Sequence, residues 1–326
     1  MKNINTNSIF KISSNAEFED LAYKIFEYQF QNNEIYNKYA SLILKEKTPQ
    51  KINQIPFLPI SFFKTEKIIC KNKKAKQIFK SSGTEGERSN HFIADIELYK
   101  ASFKNNFISN YGNIEDLCII GLLPSYQENG DSSLIFMMDT LIKISENVNS
   151  GFYGNNFEKL HNIIANNEKK NIKTIVVGVT YALLDFANQF PLELKSTTII
   201  ETGGMKGKRK ELLKEEVHKI LCSAFKINDI HSEYGMTELL SQSYSKKNGI
   251  FTTPPWMKVL TRDVYDPLSI NTERTNGGIN IIDLANIYSC SFIATDDLGV
   301  LISENEFKLN GRISNADIRG CNQLIQ

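Results

Sequence analysis

The sequence is poor in tryptophan, with one in 326 residues, and it holds only five cysteines. Cys70, Cys118, Cys222, Cys290 and Cys321 are scattered, odd in number and without a CxxC pair. That pattern argues against a disulfide framework or a zinc site and for a reducing compartment. No run approaches the roughly 18–20 apolar residues that a membrane-spanning helix needs. The opening stretch, MKNINTNSIFKISSNAEFED, lacks the apolar core of a secretory signal. The cytoplasm is therefore the expected address. A net charge of +1 leaves no basic field for nucleic acid or an anionic membrane. Neither a GxxxxGK[ST] loop nor a GxGxxG fingerprint is present.

What remains is an ordinary globular composition, 41% apolar and 23% charged, in a chain long enough for one large or two medium α/β domains. Phe18, Leu21, Ala22, Ile25 and Phe26 recur at helical spacing, so residues 15–45 are predicted helical. Pro56 and Pro59 then predict a rigid, extended connection. From about residue 114 strand-like runs alternate with amphipathic segments. Strands are predicted at Leu117–Leu123, Ile175–Val179 and Thr197–Glu201. Helices are predicted at Ser133–Ser145, Phe157–Asn167, Tyr181–Gln189 and Lys208–Phe225. This rhythm predicts a mainly parallel sheet covered by helices. Beyond Glu238, short strands with Gly, Pro, Asn and Asp turns predict a smaller, more antiparallel subdomain. The chain is read as one catalytic unit over residues 1–326. It has an α/β core to about 240, a β-rich part at about 241–310 and a hinge-like tail at 311–326.

Five short segments carry chemistry. The first, Ser81-Ser82-Gly83-Thr84-Glu85-Gly86-Glu87-Arg88-Ser89, follows a strand-like run. Its glycines permit tight turns whose N–H groups can converge on phosphate oxygens, and its hydroxyls add donors. Lys80 and Arg88 offer charge to offset phosphate. The second is Glu201-Thr202-Gly203-Gly204, at the end of a predicted strand where open α/β sheets bind ligands. The third, Ser232-Glu233-Tyr234-Gly235-Met236-Thr237-Glu238, is the most informative. Tyr234 offers a face for a purine, Thr237 a hydroxyl for phosphate and Glu238 a hard oxygen ligand for Mg²⁺. The fourth, Thr295-Asp296-Asp297-Leu298-Gly299, can accept hydrogen bonds from a ribose diol, although acidic turns are common. The fifth is Gly311-Arg312. Taken singly, most of these are compatible with ordinary turns. Trp256 reads as packing, and His91, His161 and His218 stand in no informative context.

In this order the segments resemble the motifs of the acyl-adenylate-forming superfamily, which includes acyl-CoA synthetases, luciferases and peptide-synthetase adenylation domains. SSGTEGE is similar to its phosphate loop, EYGMTE to its adenine and Mg²⁺ motif, and TDDLG to its ribose motif. SEYGMTEL followed by Ser241-Gln242, with the ending DIRGC, looks closest to bacterial acyl-protein synthetases, which activate fatty acids. Phenylacetate–CoA ligases are related. The resemblance implies an α/β large domain, ATP and Mg²⁺ as partners in catalysis, and a carboxylic acid as substrate. It assigns ATP binding to Ser81, Ser82, Gly83, Thr84, Gly86, Gly203, Gly204, Tyr234, Gly235 and Asp297. It assigns the α-phosphate contact to Thr237, the metal to Glu238 and the hinge to Arg312. His231 is a candidate for orienting the carboxylate, and Cys321 for carrying the acyl group.

The loop departs from the pattern in carrying Glu85 and Glu87, with Arg88 where a lysine is common. The chain also stops at Gln326, so the small C-terminal domain of the superfamily is expected to be absent. The expected reaction is activation of an acid, fatty or otherwise, as acyl-AMP, with transfer to a protein or enzyme thiol. Two rival readings stand beside it: an aryl- or acyl-CoA ligase with CoA as acceptor, and a nucleotide-binding protein without catalysis.

Overall fold

The computed structural model describes residues 4–82, 88–123, 130–154, 156–203, 212–271 and 276–313. They fall into two compact units, one of residues 1–102, 236–241 and 252–326 and one of residues 103–235 and 242–251. The α/β class expected from the sequence is the class found.

The first unit is built on antiparallel strands. Met257–Arg262, Asn276–Asp283, Phe292–Leu301 and Glu306–Arg312 pair in that order. The helix Asn15–Asn32 is capped by Ser14, whose hydroxyl accepts from the Glu17 amide, and it buries Phe18, Leu21, Ala22, Ile25 and Phe26. Residues 15–45 are helical as expected, in two helices. Asn33 ends the first and caps Glu34–Leu44, its Oδ1 accepting from the Tyr36 amide at 3.1 Å. Its Nδ2 meanwhile donates to the Ser289 carbonyl at 2.8 Å. An Asn that serves both chain neighbours and a distant carbonyl favours a break over a continuous helix.

The proline-rich connection is also more than extended chain. Leu58–Pro59 adds a short parallel pairing to Phe292–Leu301, and Phe62–Thr65 forms a helical turn. Gln77–Lys80 and Asn90–Ile93 form a separate two-stranded ribbon. The hydroxyl-rich segment connects them.

The second unit holds the parallel sheet. Gly151–Phe152, Cys118–Leu122, Thr174–Gly178, Thr197–Glu201 and His231–Tyr234 lie side by side in parallel, and Ser243–Ser245 adds an antiparallel strand. Cys118–Leu122 and Thr174–Gly178 are buried at every residue, as expected of strands with both faces covered. Helices Ser133–Ser145, Phe157–Lys169, Thr180–Gln189 and Lys214–Phe225 alternate with them. Among the described residues the last of these runs from Lys214 to Phe225, and the expected start at Lys208 lies outside them. No described helix is long and apolar enough to cross a membrane.

Candidate active site

In the second unit three neighbouring parallel strands end on Gly178, Glu201 and Tyr234. Ligands of open α/β sheets bind beyond such ends. Gly203 has φ +54°, and a Cβ placed there would meet nothing within 4 Å. Backbone strain, rather than crowding, therefore favours glycine, and the turn faces open space. Gly204 lies outside the described residues.

The two faces of His231–Tyr234 differ. On one, Tyr234 is 7% exposed and packs against Phe251, with ring centroids 5.9 Å apart. Lys214 Nζ lies 4.8 Å from the Phe251 ring and 3.6 Å from Glu201, whose carboxylate also accepts from the Thr180 hydroxyl. On the other face, His231 Nδ1 lies 3.3 Å from the Tyr111 hydroxyl. Burial lowers the pKa of His231, and the charge of Lys246 adds to the effect. Glu233 accepts from the Thr202 hydroxyl at 2.7 Å. Burial pushes the Glu233 carboxyl up to about 7; the Thr202 hydrogen bond opposes this, the Glu201 charge adds to it and Lys214 opposes it. A Cβ on Gly235 would lie 2.3 Å from Glu233 Oε1, so a larger residue there would make the Glu233 side chain shift.

In the first unit the Thr237–Glu238 segment is clamped from several sides. His91 is fully buried, with Nδ1 2.7 Å from the Thr237 carbonyl oxygen and Nε2 3.0 Å from Asn286 Oδ1. Asn286 Nδ2 donates to the Glu238 carbonyl at 2.8 Å. Burial lowers the pKa of His91 to about 4, and its contacts with the Thr237 carbonyl and Asn286 Oδ1 oppose that fall. Asp283 accepts from the amides of Leu240 and Ser241 and from the Ser241 hydroxyl, at 2.8, 2.9 and 2.6 Å. Trp256 packs here as expected, its indole N–H donating to the hydroxyls of Ser241 and Ser102.

Glu238 is 5% exposed, and burial raises its pKa. A hydrogen bond from Ser89 opposes the rise, as do the positive charges of Arg312 and Lys64. Ser89 closes the hydroxyl-rich segment: its amide donates to Ser81 Oγ at 2.9 Å, and its carbonyl accepts from the Ser81 amide at 3.0 Å. Ser82 is exposed. Gly83, Thr84 and Gly86 lie outside the described residues.

Asp297 lies not in an acidic turn but within the strand Phe292–Leu301. The pairing steps from Gly278–Leu298 to Asn280–Ala294, which sets Ile279 against Thr295, Asp296 and Asp297 in a bulge. Arg262 fixes that bulge by donating to the carbonyls of Ile279 and Thr295 and to Asn280 Oδ1. The Asp297 amide donates to Thr295 Oγ1 at 3.2 Å, and Arg312 Nε donates to Asp297 Oδ1 at 3.1 Å. The sequence reading singled out neither His91, Arg262, Asp283 nor the Glu233 carboxyl. A lone His or Asp separated by tens to hundreds of residues from its partners leaves no local signal.

The donor set suits Mg²⁺ in one particular mode. Among the described residues no cluster of three His, Cys, Asp or Glu side chains forms a protein cage. A single buried carboxylate, completed by substrate phosphates, is a usual way for Mg²⁺ to bind, and Glu238 fits it. Such a cation would supply charge to offset the phosphates and would favour ionised Glu238. Cys321 lies outside the described residues, and the four described cysteines are free thiols.

The fold is similar to those of solved enzymes bound to ATP or to an acyl-AMP. It matches ATP-bound MatB from Rhodopseudomonas palustris with a TM-score of 0.53 and 16% identity, over 72% of this chain and 47% of that one. It matches a 2-hydroxyisobutyryl-CoA ligase in complex with its acyl-AMP and CoA with a TM-score of 0.65 and 8% identity, over 92% and 70% of the two chains. The chain thus spans about half the length of MatB. Among curated proteins it is similar to the long-chain-fatty-acid–luciferin-component ligase of Aliivibrio fischeri, at 24% identity over 306 residues, 87% of this chain and 79% of the relative. No family model matches. These likenesses show the fold, and the ordered motifs of the sequence agree with it.

Proposed function

We propose that the chain, with residues 1–326 acting as one catalytic unit, uses ATP to activate a carboxylic acid as its acyl-adenylate. A carboxylate oxygen bonds to the α-phosphorus, the bond to the β-phosphate oxygen breaks and pyrophosphate leaves. The observation that carries this reading is the clamped Thr237–Glu238 segment, with Ser89 on the Glu238 carboxyl. Charge develops on phosphoryl oxygens in such a reaction, so fixed donors and cations stabilise it most. Ser81, Ser82, Gly83, Thr84 and Gly86 hold the leaving phosphates and Thr237 contacts the α-phosphate. Glu238 holds Mg²⁺, which supplies compensating charge. Asp297 accepts from the ribose, Arg312 supports it, and Gly203, Gly204, Tyr234 and Gly235 form the adenine side. His231 orients the carboxylate. The similarity to the Aliivibrio ligase favours a fatty or other acyl acid.

The test is acid-dependent exchange of labelled pyrophosphate into ATP, run across fatty, aryl and small polar acids. Exchange that requires one acid class supports adenylation. Exchange absent with every acid leaves a nucleotide-binding protein.

The second half-reaction passes the acyl group to a thiol, with release of AMP. Cys321 is the proposed carrier on the strength of the family resemblance, and a protein or CoA is the final acceptor. Cys321→Ser is expected to abolish hydroxylamine-sensitive labelling of the chain by radioactive acid while leaving pyrophosphate exchange intact. Undiminished labelling would remove Cys321 from the pathway, and AMP release that accelerates with CoA would make CoA the acceptor.

A further inference from the structure

We propose that Arg262 positions Asp297 for a ribose diol and so makes the site selective for ribonucleotides over deoxyribonucleotides. This rests on the role of Asp297 proposed above and adds a specificity-determining residue to it. The residues concerned all lie within the first unit. Regular pairing of Asn276–Asp283 with Phe292–Leu301 stops at Gly278 and Leu298 and resumes at Asn280 and Ala294. One residue, Ile279, therefore faces three, Thr295, Asp296 and Asp297. Bulges re-aim side chains and are common beside active sites. Here Asp296 is exposed, whereas Asp297 is largely buried.

Arg262 holds that irregularity in place. It is 6% exposed and stands on the neighbouring strand Met257–Arg262, in register with Gly278. Its Nη1 donates to the Ile279 carbonyl at 2.8 Å and to Asn280 Oδ1 at 2.7 Å, and its Nη2 donates to the Thr295 carbonyl. One planar group thus ties the two sides of the bulge together. Thr295 carries the link onward. Its hydroxyl donates to the same Ile279 carbonyl at 2.9 Å and accepts from the Asp297 amide at 3.2 Å. Gly278 leaves room for the guanidinium, since a Cβ there would lie 2.7 Å from Arg262 Cζ.

Arg312 is the weaker anchor. Its Nε donates to Asp297 Oδ1 at 3.1 Å, but its side chain is 79% exposed, and exposed ion pairs hold geometry poorly. The bonds from Arg262 are buried and charge-assisted, which is the stronger class. Burial lowers the pKa of Arg262, and the nearby Asp296, Tyr39 and Asp297 oppose that fall. An arginine keeps its charge in such a place, and its rigid fork spans two carbonyls where an ammonium acts as a point charge. A carboxylate has enough acceptor sites for both hydroxyls of a ribose, provided it is aimed at them. A relaxed bulge would turn Asp297 away and cost one or both of those bonds.

The test is equilibrium binding of ATP, 2′-deoxy-ATP and 3′-deoxy-ATP to the full chain, with Mg²⁺ and without any acid. Each analogue lacks one hydroxyl of the diol. The wild type is expected to bind ATP at least about tenfold more tightly than either analogue, the effect of one hydrogen bond to a charged acceptor. Arg262→Lys keeps the charge and loses the fork, and it should bring both ratios close to one by weakening ATP while barely moving the analogues. Thr295→Val, with Arg262 in place, should erode the same ratios, and it carries the comparison if Arg262→Lys does not fold. A purely structural role would lower the melting temperature and weaken all three nucleotides alike. Wild-type ratios that persist in the folded variants therefore overturn the inference and leave nucleotide binding standing. Ratios near one in the wild type remove Asp297 from the ribose and this inference with it. A wild type that binds no ATP removes the adenylation reading as well.

Discussion

Glu238→Gln is expected to reduce acid-dependent pyrophosphate exchange by about 100- to 1,000-fold, the usual cost of removing one preorganised electrostatic group. The isosteric amide can still accept from Ser89, so the segment held by His91 and Asn286 should stay in place. What it loses is the charge that holds a hard cation. A Mg²⁺ titration separates the two roles. If Glu238 is the metal ligand, the residual activity of the variant requires far more Mg²⁺ than the wild type. If Glu238 is only a structural acceptor, the Mg²⁺ requirement stays where it was and the melting temperature falls. The raised pKa of Glu238 gives the effect a direction, because a bound cation favours the ionised form that burial disfavours.

Asp283→Ala should be the most destabilising single substitution in the first unit. The Asp283 carboxylate is fully buried and accepts from Leu240 and Ser241 amides, the Ser241 hydroxyl and, at 3.2 Å, the Ala285 amide. Alanine leaves those donors buried without an acceptor, at roughly 1–3 kcal/mol for each one that water does not reach. A loss of about 3–5 kcal/mol is expected, read as a lower denaturant midpoint at unchanged slope. Asp283→Asn keeps one acceptor oxygen and should lose less. The same carboxylate anchors the segment that carries Thr237 and Glu238, so exchange activity should fall in the alanine variant even well below its melting temperature. A wild-type midpoint in Asp283→Ala would mean that the segment is held by its other contacts.

The parallel sheet was legible in the sequence because its strands are short apolar runs between amphipathic segments. Ser133–Ser145 and Thr197–Glu201 fall where the pattern placed them. Asn33 was not legible as a helix break, because the hydrophobic spacing continues across it and its partner Ser289 is 256 residues away. Asp297 was legible as chemistry and not as structure. Its motif reads as a turn, whereas a bulge set by Ile279 and fixed by Arg262 lifts it out of a regular strand. The supporting residues were the least visible. His91 acts on a carbonyl 146 residues later in the chain, and no local spacing encodes such a contact. Glu233 stood inside the most informative motif and passed unremarked, since its partner Thr202 is 31 residues away.

Attack of the acid on the α-phosphorus is the central claim, and isotope tracing tests it directly. The acid that supports exchange would be supplied with both carboxyl oxygens as ¹⁸O, and the AMP released after acyl transfer would be weighed by mass spectrometry. The account predicts one ¹⁸O in each AMP and none in pyrophosphate, because the bridging oxygen stays on phosphorus when the acyl group leaves. Unlabelled AMP, or label appearing in inorganic phosphate alongside ADP, would contradict it.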